Sequence, residues 1–87
     1  MKHWSIIFKT LSNINRLKII EILSAEKELS VTAISNKLNI SFTATSNHLI
    51  ILKDLDVLNN RGKDGNVFYS INKNMPRNFY RIIKLLI

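Results

Sequence analysis

Residues 41–52 read SFTATSNHLIIL and have the spacing of a short helix with two chemically different sides. At 3.6 residues per turn, Thr45, Leu49 and Leu52 share one face, flanked by Ala44, Ile51 and Leu55, while Thr43, Ser46, Asn47 and Ile50 point away. Short hydrogen-bonding side chains on the outward side suit insertion into a groove. An ordinary surface helix can carry the same pattern, so the flanking segments have to discriminate. Ser41 is the expected N-cap, because its hydroxyl can accept from an unpaired amide of the first turn. A helix N-terminus also favours a nearby phosphate.

Just upstream, Ser30 is expected to cap a short helix running through Leu38, with Val31, Ile34 and Leu38 on its inner edge. Asn39 to Ser41 then makes a tight turn. Two helices joined by a turn of roughly three to four residues, the second polar on its outer side, form a helix-turn-helix. Further upstream, Trp4, Ile7, Phe8 and Leu11 repeat at helical spacing, and Asn13 is the expected N-cap of the next helix. In that second helix Ile14, Leu17, Ile19, Ile20, Ile22 and Leu23 are too many apolar positions for a narrow stripe, which places it mid-core with only Arg16, Lys18 and Glu21 needing water. Downstream, Val57 and Leu58 lead into NNRGKDGN, after which Val67, Tyr69 and Ile71 alternate as a strand does. Asp64-Gly65 is a turn signal, so a hairpin with a basic tip is expected. Asn72 to Pro76 interrupts the chain before a last helix that carries Phe79, Tyr80, Ile82, Ile83, Leu85, Leu86 and Ile87.

Eighty-seven residues make one small domain whose core is marginal unless a partner subunit adds buried area. The 46% apolar content argues against disorder, and the longest apolar runs are too short to span a bilayer. MKHWSIIFKTL has the early Lys of a secretory leader, but Lys9 breaks its apolar run and no small-residue cleavage site follows, so a cytoplasmic location is expected. No Cys is present, which excludes disulfides, thiolate catalysis and Cys-based zinc sites. Thirteen Lys and Arg against six Asp and Glu leave a net charge of +7, which favours a polyanionic partner. From residue 61 onward Arg61, Lys63, Lys73, Arg77, Arg81 and Lys84 face a single acid, Asp64.

The segments LSNINRLKIIEIL, LSVTAISNKLNIS, TSNHLIILKDLDVL and GKDGNVFYSI, in that order, resemble the ArsR-type winged-helix regulators over roughly Phe8 to Ile71. Ser46, His48, Leu49 and Leu52 fall on the family's Ser-x-His-Leu-x-x-Leu signature; Gly65 and Tyr69 fall on its wing turn and closing aromatic. Two positions depart from the pattern. Asp56 stands where Gly is usual, which questions the turn into the first wing strand, and Asn66 stands where a basic residue is common, which weakens a phosphate contact. The resemblance implies a mainly α fold with a β-hairpin wing (α+β), a winged helix-turn-helix of about five helices, as a single domain over residues 1–87.

By resemblance, Phe42, Thr43, Ser46 and Asn47 would enter the major groove of double-stranded DNA. Asn47 is the expected direct reader, since its amide can pair bidentately with adenine. Thr43, Ser46 and Asn47 could instead be merely solvated, and Phe42 could pack rather than touch a thymine methyl. Arg61, Lys63 and Asn66 would lie along the wing beside phosphates, or stay free in water as a charged turn. Lys37, ahead of the turn, is a further candidate phosphate contact. His48, on the core edge and without a carboxylate cluster, reads as a hydrogen-bonded structural residue. Ser46 and His48 are no nucleophile pair, because positions two apart on a helix point about 200° from each other.

The family's thiolate metal site aligns with Ser30 and Thr32, whose hydroxyls are poor ligands for soft ions, and residues 74–87 contain no His or carboxylate for its C-terminal site. No metal or other cofactor is therefore expected; His3 reads as an exposed terminal residue. The resemblance also implies a homodimer through the terminal helices, about 3–12 and 74–87. Trp4, Ile7, Phe8, Phe79, Ile82, Ile83 and Leu86 supply more apolar surface than a small domain hides, the alternative being that they fold back as core. A two-fold dimer would meet a pseudo-palindromic site. The expectation is thus a non-enzymatic, homodimeric DNA-binding repressor. The alternative is a winged-helix module for protein assembly with DNA binding lost.

Overall fold

Three side-chain caps set where helices begin in the computed structural model, which describes residues 2–87 with side chains from His3 onward. Residue 1 of the expected domain lies outside the described residues. Asn13 Oδ1 accepts from Asn15 N at 3.0 Å and Arg16 N at 3.2 Å, Ser30 Oγ from Ala33 N at 3.1 Å, and Ser41 Oγ from Ala44 N at 3.0 Å. Each accepts for an amide that the helix itself leaves unpaired. The elements in order are α1 (Lys2–Leu11), α2 (Ile14–Ala25), β1 (Leu29–Ser30), α3 (Val31–Leu38), α4 (Phe42–Asp54), β2 (Leu58–Lys63), β3 (Asn66–Ile71) and α5 (Arg77–Leu86).

The three strands form one antiparallel sheet in the order β1-β3-β2, with Leu29 and Ser30 of β1 facing Tyr69 and Phe68. Strand β1 was not expected: two residues are too few to show a period, and Ser30 also caps α3. At the far end, Lys63 pairs with Asn66 across Asp64 and Gly65, both at positive φ (52° and 79°). That combination makes a two-residue turn matching the twist of the strands.

Every helix contributes to one core, which includes Ile7, Leu11, Ile19, Ile20, Leu23, Ile34, Leu49, Leu52, Phe79 and Ile83. Helix α2 does run through its middle, but Ile14 is 63% exposed because it is the first residue of the helix and projects past the core. Arg16, expected to reach water, is half-buried. The final helix begins at Arg77 rather than near residue 74. Asn72 Oδ1 accepts from Asn74 N at 2.9 Å and Asn72 O from Met75 N at 3.0 Å, a turn that occupies the intervening backbone. Pro76 then disfavours helical geometry at Met75 and itself serves as N-cap.

Candidate nucleic-acid interface

Helix α3 ends at Asn39, which takes the left-handed conformation (φ 56°, ψ 43°) while its N–H donates to Ser35 O. Ile40 N donates to the same carbonyl at 3.3 Å. Asn is among the few non-Gly residues that visit this region at low cost. Ser41 returns to extended backbone and starts α4, so the turn between the helices needs only three residues.

One side of α4 is locked into the core. Thr45, Leu49 and Leu52 are fully buried, and the Thr45 hydroxyl donates to Ser41 O at 2.8 Å, leaving no orphaned polar atom there. The opposite side carries Phe42 (56% exposed), Thr43, Asn47 and Ile50 in the open, with Ser46 half-buried at its edge. Lys37, in the last turn of α3, is exposed. The two helices therefore bring Lys37, Phe42, Thr43 and Asn47 to solvent, and Ser46 is the least available of the expected groove residues.

In the wing, cross-strand partners share a face. Leu58, Tyr69 and Ile71 pack on the core side, with Asn60 on the same face but exposed, its Nδ2 donating to the Tyr69 hydroxyl at 3.4 Å; Asn59, Arg61 and Lys63 look outward, paired with Ser70, Phe68 and Asn66. Lys63 stands exposed at the tip, and the Asn66 amide donates to Asp64 O at 3.4 Å within the turn. Arg61 differs from the free cation the sequence suggests. It lies mid-strand, and its Nε and Nη2 donate to Glu28 Oε2 and Oε1 at 2.6 and 2.7 Å, while its guanidinium sits 5.8 Å from the Phe68 ring centre. The hydrogen bonds from Arg61 hold the Glu28 carboxyl below its ordinary range, against the opposing effect of desolvation.

Asp56 takes φ 63°, the conformation the usual glycine would supply. The turn into β2 survives the substitution. Val57 N donates to Leu52 O at 3.0 Å, Asn72 Nδ2 donates to Asp56 O at 2.9 Å, and Asn72 N donates to Val57 O at 3.0 Å. Asn72 thus clamps this junction, a role that sequence inspection missed.

His48 Nδ1 accepts from Arg16 Nε at 3.3 Å, and Arg16 Nη1 also donates to Thr10 O at 3.4 Å. Burial first, and the Arg16 charge second, push the His48 pKa below its ordinary value. It is a neutral acceptor tying α4 to α2 and α1, as expected of a structural histidine. At the aligned metal positions, Ser30 Oγ is occupied by its cap and Thr32 is exposed. Among the described residues no three His, Asp or Glu side chains gather as a metal site would require.

The residues expected at a dimer contact divide into two groups. Ile7, Phe79 and Ile83 are buried in the single-chain core, because α5 packs against α1, and Trp4 and Ile82 lean on it half-buried. Phe8 and Leu86 remain 55% exposed, joined by Ile6, Tyr80, Leu85 and Ile87, which the sequence reading did not include. Phe8 stacks on Trp4 with ring centres 5.9 Å apart.

The arrangement of capped α3, turn, half-exposed α4 and two-stranded wing has known counterparts. A family model described as a bacterial regulatory protein of the arsR family matches residues 13–60, more than half of the chain. The chain belongs to the ArsR family. It is 46% identical over 68 residues to the cadmium resistance transcriptional regulatory protein CadC of Listeria innocua, covering 78% of this chain and 56% of that protein. To the transcriptional repressor SdpR of Bacillus subtilis it is 33% identical over 66 residues, covering 76% and 72%. This ArsR-family chain thus spans little more than half the length of the CadC relatives it matches. In three dimensions it superposes on the homodimeric winged helix-turn-helix DNA-binding domain of a possible ArsR-family regulator from Mycobacterium bovis with a TM-score of 0.77. That match has 26% identity and covers 98% of this chain and 75% of the other. The winged helix-turn-helix fold expected from the sequence is therefore the one present.

Proposed function

We propose that this ArsR-family chain is a homodimeric, sequence-specific double-stranded-DNA-binding repressor that acts in the cytoplasm. The observation that carries the reading is the two-sided character of α4: Thr45, Leu49 and Leu52 anchor it, and Phe42, Thr43 and Asn47 stand free on the other side. A helix fixed along one side and lined with short polar groups on the other can enter a major groove, with Asn47 addressing adenine. Ser46 reaches the groove only from its edge. Lys63 and Asn66 at the wing tip, and Lys37 beside the turn, contact phosphates. Arg61 adds to this set once released from Glu28.

Repression follows by occupancy of a promoter, as the name of the SdpR relative suggests for that protein. Dimerisation through the exposed apolar side chains of α1 and α5, with Phe8 and Leu86 at its centre and Trp4 and Ile82 at its edge, sets two α4 helices on one face of a duplex. The homodimeric state of the Mycobacterium bovis domain supports this reading. No metal acts through the family's usual positions, because Ser30 and Thr32 offer poor ligands there. No enzymatic activity is proposed, and no helix among the described residues is long and apolar enough to cross a membrane.

The test is selection of bound sequences from a random duplex pool, followed by titration of the winner across a salt series. Enrichment of a pseudo-palindrome, with affinity falling steeply as salt rises, is the expected result. No duplex binding at low salt, with the dimer intact, would point to an assembly module instead.

A further inference from the structure

Glu28 and Arg61 are 33 positions apart, yet the sheet brings them into a two-pronged contact on the outer face of the wing. Glu28 lies in the segment between α2 and β1, and Arg61 lies on β2, two residues before Lys63 on the same face. A planar guanidinium donating through two nitrogens to two carboxylate oxygens is the geometry Arg also offers to a phosphate. The pair is open to water, with 56% of the Arg61 side chain and 26% of Glu28 exposed, so a competing anion can approach it. Such exposed pairs hold weakly.

We infer that Glu28 is a built-in competitor for Arg61, holding back one phosphate contact of the wing and so limiting affinity for DNA. The inference rests on the DNA-binding reading given above. In the absence of DNA the carboxylate occupies the guanidinium, whose position over the Phe68 ring keeps it on the outer face. Lys63 and Asn66 at the tip then meet the DNA backbone without it. A duplex seated on the wild-type wing leaves Arg61 with Glu28, so this contact is withheld and forms only when the carboxylate is removed.

Glu28→Gln keeps the size of the side chain and removes the charge. Wild-type protein and Lys63→Ala are first titrated with the selected duplex; a wild type that does not bind DNA overturns the DNA-binding reading and this inference with it. With wild-type binding in hand, E28Q is expected to bind more tightly and to steepen the slope of log affinity against log salt by about 0.9, the value for one further phosphate. In an R61Q background the same change is expected to leave the slope unaltered. Equal increments in both backgrounds would mean that Glu28 acts only as a local negative charge, and an unchanged slope in E28Q would mean that Arg61 reaches no phosphate. Either result overturns the inference and leaves the DNA-binding reading standing. Thermal unfolding of each variant verifies that the wing is retained.

Discussion

Arg16 Nε donates to His48 Nδ1 at 3.3 Å, so a residue of α2 holds the ring of a residue of α4 in its neutral, accepting form. The bond gives the family-pattern histidine a structural partner in α2. It also makes fold stability depend on pH. Burial and the Arg16 charge lower the folded-state pKa of His48, while the unfolded chain titrates near 6.5. Above that value both states are neutral and the link contributes fully. As pH falls from about 6.5 toward the depressed folded value, the unfolded state takes up a proton that the folded state refuses, and stability is lost. Thermal midpoints measured from pH 8 to pH 5 should therefore fall in the wild type, and fall less in His48→Gln. A parallel decline in both proteins would assign the effect to other groups.

Asn47 and Lys63 should differ in kind when removed. Asn47 is exposed on the free side of α4 and Lys63 at the wing tip. Asn47→Ala is expected to cost about 1–3 kcal/mol on the preferred site and to relax discrimination there, whereas Lys63→Ala weakens binding to all duplexes alike and lowers the salt slope by about 1. Competition titrations with matched and scrambled duplexes separate the two outcomes.

Leu52 is fully buried and belongs to the anchoring side of the same helix. Leu52→Ala should destabilise the domain by about 2–5 kcal/mol. That is a large part of the ~5–15 kcal/mol holding a typical domain together, so DNA binding should be lost through unfolding. Urea titration would show it, and a native midpoint without DNA binding would contradict this division between anchor and reader.

At Asp56 the backbone sits at φ 63°, where a β-branched side chain clashes. Asp56→Val should cost about 1–2 kcal/mol, whereas Asp56→Gly should be neutral or mildly stabilising. For a domain of this size each kcal/mol moves the thermal midpoint by roughly 4–8 °C, which a melting curve resolves.

Phe8 is 55% exposed and outside the single-chain core, so Phe8→Glu should leave the fold intact. A charge placed in the proposed dimer surface should shift the protein toward monomer in light scattering and weaken binding to a two-half site. An unchanged oligomeric state would move the interface elsewhere.

Local sequence was sufficient wherever the controlling interaction is local. The caps at Asn13, Ser30 and Ser41 act within three residues of their helices, the two faces of α4 follow from helical period, and Asp64-Gly65 carries its own turn signal. The interruption over Asn72 to Pro76 was also legible, and α5 starts just after it at Arg77, inside the approximate 74–87 bounds of the terminal element. Contacts between distant segments needed the folded chain. The pairing of β1 with β3, the clamp of Asn72 on Asp56, the Arg16–His48 bond and the hold of Glu28 on Arg61 leave no local periodicity to read. Packing likewise settled which apolar residues of the terminal helices face inward: Ile7, Phe79 and Ile83 close the core, while Phe8 and Leu86 stay outside. Hydrophobicity states only that such side chains must be covered. Which neighbour covers each one is a matter of three-dimensional proximity.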